Sequence, residues 1–311
     1  MDAKLIKEIL HCLRGERTLF YYCPEQYAVF LLQRLTEKHG TLPVSELRSS
    51  RWRTLLQRPG LKSLVANCGS GELSPGALSD LWLATPETYV LTLGHWGIQQ
   101  KHTWAQISRP GGNLVLQLNL SQRWSRAFES LSDRSANSYF DFGHPLSDTR
   151  SVTLAWARLD VDFDTDEALI EELQSDLVRE VRAMRRLAEL RKDRECFYYR
   201  GVSLKTKKVT EFSDSFLAQF DKTWQEALLT ATLSFAFDEL GVSKLFYHSY
   251  DTGNLLKNIR YTKPPRSLYT QLPKKFCFDV TEQAPIFLQK EKKVRRKLKA
   301  LAGKPWFTMA A

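Results

Sequence analysis

The ten residues EALIEELQSD at 167–176 gather Glu171, Glu172, Gln174, Ser175 and Asp176 where an apolar run meets a helical one. Carboxylates packed among Leu169, Ile170 and Leu173 lose water, which disfavours the charged form and moves their pKa up toward the range of a general base. Ser175 or Asp176 would cap the helix that follows, because a side-chain oxygen there accepts from an otherwise unpaired N–H group. If 167–193 is instead one continuous helix, the same residues form only its wet face.

A second cluster is electrostatic. From Lys257 onward there are 14 Lys and Arg against three acids, so the chain's net charge of +10 lies entirely in its last fifth and the first 256 residues sum to −1. The excess peaks in KEKKVRRKLK, with Lys290, Lys292, Lys293, Arg295, Arg296, Lys297 and Lys299. Such asymmetry suggests nucleic acid, a nucleotide-like cofactor or an acidic protein surface as partner; the bland reading is a solvated helix that aids solubility. Val294, Leu298 and Leu301 form a narrow apolar stripe, which predicts a helix docked by that stripe with the cationic heads outside.

Other chemistry lacks its motifs. There is no GxxxxGK[ST] loop, GxGxxG fingerprint, HExxH, GxSxG or EF-hand loop. His95 and His102 flank a loop without acidic or Cys partners at metal spacing, so no metal site is expected. The five cysteines are scattered, with no CxxC, and Cys196 and Cys277 sit among aromatics as core thiols do. No apolar run approaches the ~18 residues of a membrane span, and the N-terminus lacks the apolar block of a signal peptide. Together these predict a cytoplasmic chain with no membrane partner. With 43% hydrophobic residues and 8 Trp, it has ample material for a core.

The elements that must position these residues follow from periodicity. Residues 1–80 read as a helical region, with Tyr27, Phe30, Leu31 and Leu35 on one face. A break at Pro59-Gly60 between Arg-bearing helices suggests a winged-helix-like unit or a plain helical cap. After GSGELSPG at 69–76 the pattern turns to strands, in TYVLTLGHWG and in GGNLVLQLNLS with its alternating leucines. RSVTLAWARLDVDFD is a strand turned by Asp164–Glu167 into ALIEELQSD, predicting a hairpin of 152–163 with 168–174. A stripe of Leu173, Leu177, Val181, Met184 and Ala188 predicts an amphipathic helix, and Trp224, Leu228, Ala231 and Phe235 mark a buried one. VSKLFYHSY is a strand, and FCFDV is expected to close the sheet. The class is α+β, arranged as a helical N-terminal region (1–80), a mixed or antiparallel sheet flanked by helices (81–285), and a basic C-terminal helix or tail (286–311).

ALIEELQSD, followed after an insertion by TWQEALLTATLSFAFDELGVSKLFYHS, resembles the IEEIQSD segment of polyvalent proteins encoded by phages and mobile elements. Residues 150–285 also resemble the closing half of the GNAT acyltransferase superfamily: a helix ending in Glu-Leu-Gly, the strand KLFYHSYDTGN with Asn254, then SLYTQLPKKFCF. The resemblance implies a GNAT-like fold and an acyl-CoA cofactor if the site is active. It also implies Glu171 or Glu172 as general base and Tyr247 or Tyr269 as general acid. The chain departs from the family where the [RQ]xxGx[GA] pyrophosphate loop is expected, since Gln174-Ser175-Asp176-Leu177 has no glycine and adds a carboxylate. Either the site is degenerate, or the insertion at 177–222 supplies another anion site, or the ligand is not CoA. The readings carried forward are a divergent GNAT-like acyltransferase or its inactive relative, a nucleic-acid-associated accessory protein, and a component of a larger protein assembly.

Overall fold

In Ala155–Asp162, Ala157, Leu159 and Val161 alternate with Trp156, Arg158, Asp160 and Asp162. A period of two gives a strand with one apolar face and one charged face. This run sits at the centre of the computed structural model, which describes residues 1–13, 18–98, 105–131, 144–147, 151–260 and 263–311. Eight strands form the main sheet: β1 (Thr18–Tyr22), β2 (Glu87–Trp96), β3 (Asn113–Leu120), β4 (Thr153–Asp162), β5 (Glu167–Gln174), β6 (Lys244–Tyr247), β7 (Asp279–Thr281) and β8 (Trp306–Ala310). Their order is β1-β2-β3-β4-β5-β6-β8-β7, and every neighbouring pair is antiparallel except β5 and β6.

Helices cover both faces. On one side lie α2 (Gln26–His39), α3 (Asp176–Leu190), α4 (Thr206–Phe220) and α5 (Trp224–Ser234), packed on Ala157, Leu159 and Ile170 in the larger core. On the other side α6 (Tyr250–Leu256), Ile286–Lys290 and α7 (Lys292–Ala300) close a smaller core of Leu169, Phe246, Leu256, Phe287, Val294 and Trp306. The fold is thus a mixed sheet between helical layers, as the alternation of strand and helix patterns required.

The expected hairpin is present, with Asp160 opposite Leu169 and Asp162 opposite Glu167. Asp166 turns the chain at φ 53°, and its carboxylate accepts from Ser243 N–H at 2.9 Å, tying the turn to the start of β6. The continuous-helix alternative for 167–193 is therefore excluded. Leu173 belongs to the strand, and the helical stripe runs from Leu177 to Ala188, all buried.

Three expectations need correction. Residues 18–22 are the sheet's edge strand rather than helix, because Thr18–Tyr22 pairs with Glu87–Leu91. FCFDV does not close the sheet: Asp279–Thr281 is an edge, and Trp306–Ala310 inserts between it and β6. Residues 286–311 are accordingly no tail, since α7 is the crossover joining two paired strands. The Arg-bearing stretch around Pro59-Gly60 holds Val44–Ser49 and Pro59–Asn67, which follow α2 and are bracketed by a two-residue ladder of Leu42–Pro43 with Glu72–Leu73. His102 lies outside the described residues.

The helix α5 is buried nearly all round and packs chiefly on β4. Phe235, just past its end, is 2% exposed. Phe235→Ala should cost roughly 3–5 kcal/mol in urea unfolding, as aromatic truncations in cores do; a loss below about 1 kcal/mol would contradict this packing.

Candidate functional site

Pairing between β4 and β5 slips within the hairpin. Leu159 faces Ile170 but Arg158 faces Glu172, which leaves Glu171 as the extra residue of a β-bulge. A bulge unpairs one residue and re-aims its neighbours, and here it sends two consecutive glutamates to different partners. Glu171 is fully buried. Its carboxylate accepts from Ser108 N–H at 3.0 Å, Ser108 Oγ at 2.8 Å and His248 Nε2 at 3.3 Å. Its carbonyl oxygen, freed by the bulge, accepts from Lys257 Nζ at 2.8 Å. Glu172 is paired with the Arg158 guanidinium, which also donates to the carbonyls of Ala105 (2.7 Å) and Gln106 (3.0 Å).

Residues 105–109 thus form a strap across the charged face of the sheet. Arg109 completes it, gripping Asp160 through Nε and NH2 at 2.8 and 2.9 Å and Asp162 through NH1 at 3.0 Å. Two buried cations, Arg158 and Lys257, balance two buried carboxylates, Glu171 and Glu172, and a buried charge needs such compensation.

This environment overturns the expected direction of the carboxylate shifts. Burial alone would push Glu171 up, but the His248 hydrogen bond and the charges of Lys257 and Arg158 hold it down to about 2. Burial is likewise outweighed at Glu172, by Lys257 and Arg158, and at Asp176, by His144, Gln174 and Arg179. All three fall below the usual carboxylate range. Burial pushes His248 down against the pull of Glu171, so a neutral imidazole faces an ionised carboxylate. Ser108 Oγ is also 3.0 Å from His248 Nε2, yet Ser108, His248 and Glu171 do not form a hydrolytic triad. One ring nitrogen serves both partners while Nδ1 faces Thr252 Oγ1 at 3.1 Å, whereas a triad needs the two nitrogens to face nucleophile and carboxylate separately.

Beyond Ile170 and Tyr247 the parallel pairing of β5 with β6 stops, while β5 runs on to Gln174. A cleft of about 560 Å³ lies there, lined by Gln106, Glu172, Leu173, Gln174 and Ser175 on one side and by Ile259, Lys263, Pro264, Pro265, Ser267 and Leu268 on another. Arg179, Arg182, Asp221, Lys222 and Trp224 complete the wall. Ser175 is the N-cap of α3: its hydroxyl accepts from Val178 N–H at 3.1 Å and donates to Leu154 O at 2.6 Å. Gln174 Nε2 donates to Asp176 at 2.7 Å, and Arg179 adds a 2.6 Å bond to the same carboxylate.

The cleft therefore brings together Glu172, Gln174 and Ser175, whereas Glu171 is turned away into the buried network. Tyr247 and Tyr269 do not line it. The Tyr247 hydroxyl donates to Leu268 O at 2.8 Å, Tyr269 OH is buried without a partner among the described residues, and burial raises both far above the usual phenol range. The seven basic residues near the C-terminus lie apart, on and just before α7. Among the described residues no cluster of three or more His, Cys, Asp or Glu is placed to hold a metal, all five cysteines are free, and no helix is long and apolar enough to cross a membrane.

No family model, no curated protein and no solved structure matches the chain. Its chemistry has to be read from its own residues.

Sequence reasoning missed three participants. His144 lies between Trp96 and Trp156, with its Nδ1 2.5 Å from Asp176 Oδ2, a contact across 32 residues that no spacing announces. Lys257 and the Ser108–Arg109 strap are equally non-local. A signal existed for the strap: Arg158, Asp160 and Asp162 alternate on one strand face and demand counter-ions.

The folded values of Glu171 and His248 both lie below their ordinary ones, about 4.5 and 6.5. Each group therefore adds stability that is complete above its ordinary pKa and lost as pH falls. Thermal unfolding followed by circular dichroism should show Tm falling as pH drops through about 6.5, and falling further below about 4.5. Glu171→Gln should flatten the lower limb and His248→Gln the upper one. A wild-type Tm independent of pH between about 7 and 3 would refute the buried ion set.

Proposed function

We propose that the cleft at the end of β5 binds an anionic, acyl-CoA-like ligand, and that the chain is a divergent GNAT-like acyltransferase or a relative that has kept binding and lost turnover. The observation that carries this reading is the parting of two parallel central strands beside a β-bulge, with a helix starting at the open end. Such a gap exposes strand ends and helix N–H groups to a ligand. The order of the last seven strands, with the final one inserted before the penultimate, supports the same resemblance.

The family's backbone cradle for pyrophosphate does not fit here. Ser175 already occupies Val178 N–H, and Asp176 stands in the first turn of α3. The four cations on the cleft wall do fit. Arg179, Arg182, Lys222 and Lys263 come from α3, the turn before α5 and the segment after α6. Lys222 belongs to the insertion at 177–222, so a side-chain grip from that insertion takes over from the glycine loop. Arg179 and Arg182 spend part of their charge on Asp176 and Asp221, while Lys222 and Lys263 have no acidic partner among the described residues. Bound acyl thioester would supply the activated carbonyl. This chain's own groups orient the ligand: Glu172, paired with Arg158, is a fixed negative charge at the cleft floor, and His144, held by Asp176, adjoins the same wall through Gln174.

Isothermal titration with acetyl-CoA and with CoA tests the reading. Wild type should bind both, and Lys222→Ala or Arg179→Ala should each weaken binding about tenfold, roughly 1.4 kcal/mol. Glu172→Gln leaves Arg158 buried without its counter-charge, so its Tm should fall below that of wild type. An absence of heat at ligand up to about 1 mM, an affinity worth only about 4 kcal/mol, would defeat the cofactor assignment.

A further inference from the structure

The helix α7 carries a charge arrangement that works against its own stability. It holds six Lys and Arg among nine residues and no acid. Lys292 and Lys293 occupy the first turn, where the helix dipole disfavours cations. Lys292 with Arg296, Lys293 with Lys297 and Arg295 with Lys299 are like-charged pairs at i,i+4, which repel. Opposite charges occupy this spacing in other helices, as in Lys4–Glu8, Arg185–Glu189 and Lys207–Glu211. A face selected for solubility alone has no need to forgo such pairs.

The inner side of the helix is fixed. Val294 and Leu301 are buried with Phe246 and Trp306, and Leu298 packs against them. Lys297 turns inward and donates to Leu256 O at 2.7 Å, so it is a structural group. Arg295 folds back on Gln289 O at 3.0 Å and Lys290 O at 3.4 Å. Lys290, Lys292, Lys293, Arg296 and Lys299 remain exposed, with no acid in ion-pair range among the described residues. Because α7 is the crossover into β8, these charges are held on a rigid surface.

From this we propose that the outer face of α7 binds the sugar–phosphate backbone of duplex nucleic acid without regard to sequence, independently of the cleft. Lys292, Arg296 and Lys299 run along about 10 Å of helix at 1.5 Å per residue. A duplex strand presents a phosphate about every 3.4 Å along its axis, so a short line of charges meets a line of phosphates.

Fluorescence polarisation of a labelled duplex, at about 50 and 200 mM salt, tests the assignment. Wild type should bind with a log–log salt slope of about −0.9 per phosphate contacted. The variant Lys292→Gln, Lys293→Gln, Arg296→Gln, Lys299→Gln should unfold at or above the wild-type temperature, bind at least tenfold more weakly and show a flatter slope. Lys207→Gln with Lys208→Gln, on a distant exposed helix, should change nothing. Should the fourfold variant misfold, Lys292→Gln with Arg296→Gln alone must still lower affinity and slope. No duplex binding by wild type at about 50 mM salt, or undiminished binding by the variants, overturns the proposal. Tighter binding of a labelled single strand overturns it in favour of an unpaired ligand. Equal competition by polyglutamate overturns it in favour of an acidic protein.

Discussion

The ammonium of Lys257 on the carbonyl of Glu171 is the contact on which the centre of the molecule depends. A bulge in a dry sheet leaves one carbonyl without its ladder partner, and an unmet buried acceptor costs about 1–3 kcal/mol. A lysine meets that need only by bringing a charge into the interior, where charges require partners. Glu171 and Glu172 supply the counter-charge. Two carboxylates exceed one cation, so Arg158 balances the second, and its remaining donors are met by the carbonyls of Ala105 and Gln106. The strap at 105–109 is thereby bound to the bulge through electrostatics rather than apolar packing.

This chain of requirements explains why the two faces of the sheet differ. One face carries Ala157, Leu159 and Ile170 under α5, in the larger apolar core. The other carries Arg158, Asp160 and Glu171 and is covered by groups that answer each charge. Replacing one member leaves its partner buried and unpaired, which makes such networks intolerant of single changes. The cleft opens at the border between the two regimes. Its floor is a buried, ion-paired residue, Glu172, while its walls carry the cationic side chains Arg179, Arg182, Lys222 and Lys263.

The C-terminal segment combines structural and electrostatic roles. Trp306 packs on His248 with ring centroids 5.1 Å apart, so β8 also shields the buried network. The helix leading into that strand turns its apolar stripe and Lys297 inward and its other cations outward. A segment apart from the cleft is therefore inseparable from the fold, and its surface charge stands on a fixed frame.

Local pattern alone determined the β4–β5 hairpin, the α3 stripe, the buried α5 and the docked stripe of α7, because a period of 2 or 3.6 is a property of adjacent residues. It also determined the cap at Ser175, which needs only a hydroxyl before a helix. What local pattern missed depended on partners far along the chain. Thr18–Tyr22, TLFYY, is rich in β-formers, but it lies between two helical patterns and becomes β1 only by pairing with β2, about 65 residues away. Trp306–Ala310 lies one strand in from the sheet's edge because it pairs with both β6 and β7. The direction of the carboxylate shifts was the largest reversal: burial among Leu169, Ile170 and Leu173 argues for a raised pKa, and nothing near residue 171 in sequence announces Lys257, His248 or Arg158. Solvation can be read from neighbours in the chain, but the sign of a buried group's pKa shift depends on charges that only the tertiary fold brings within a few ångströms.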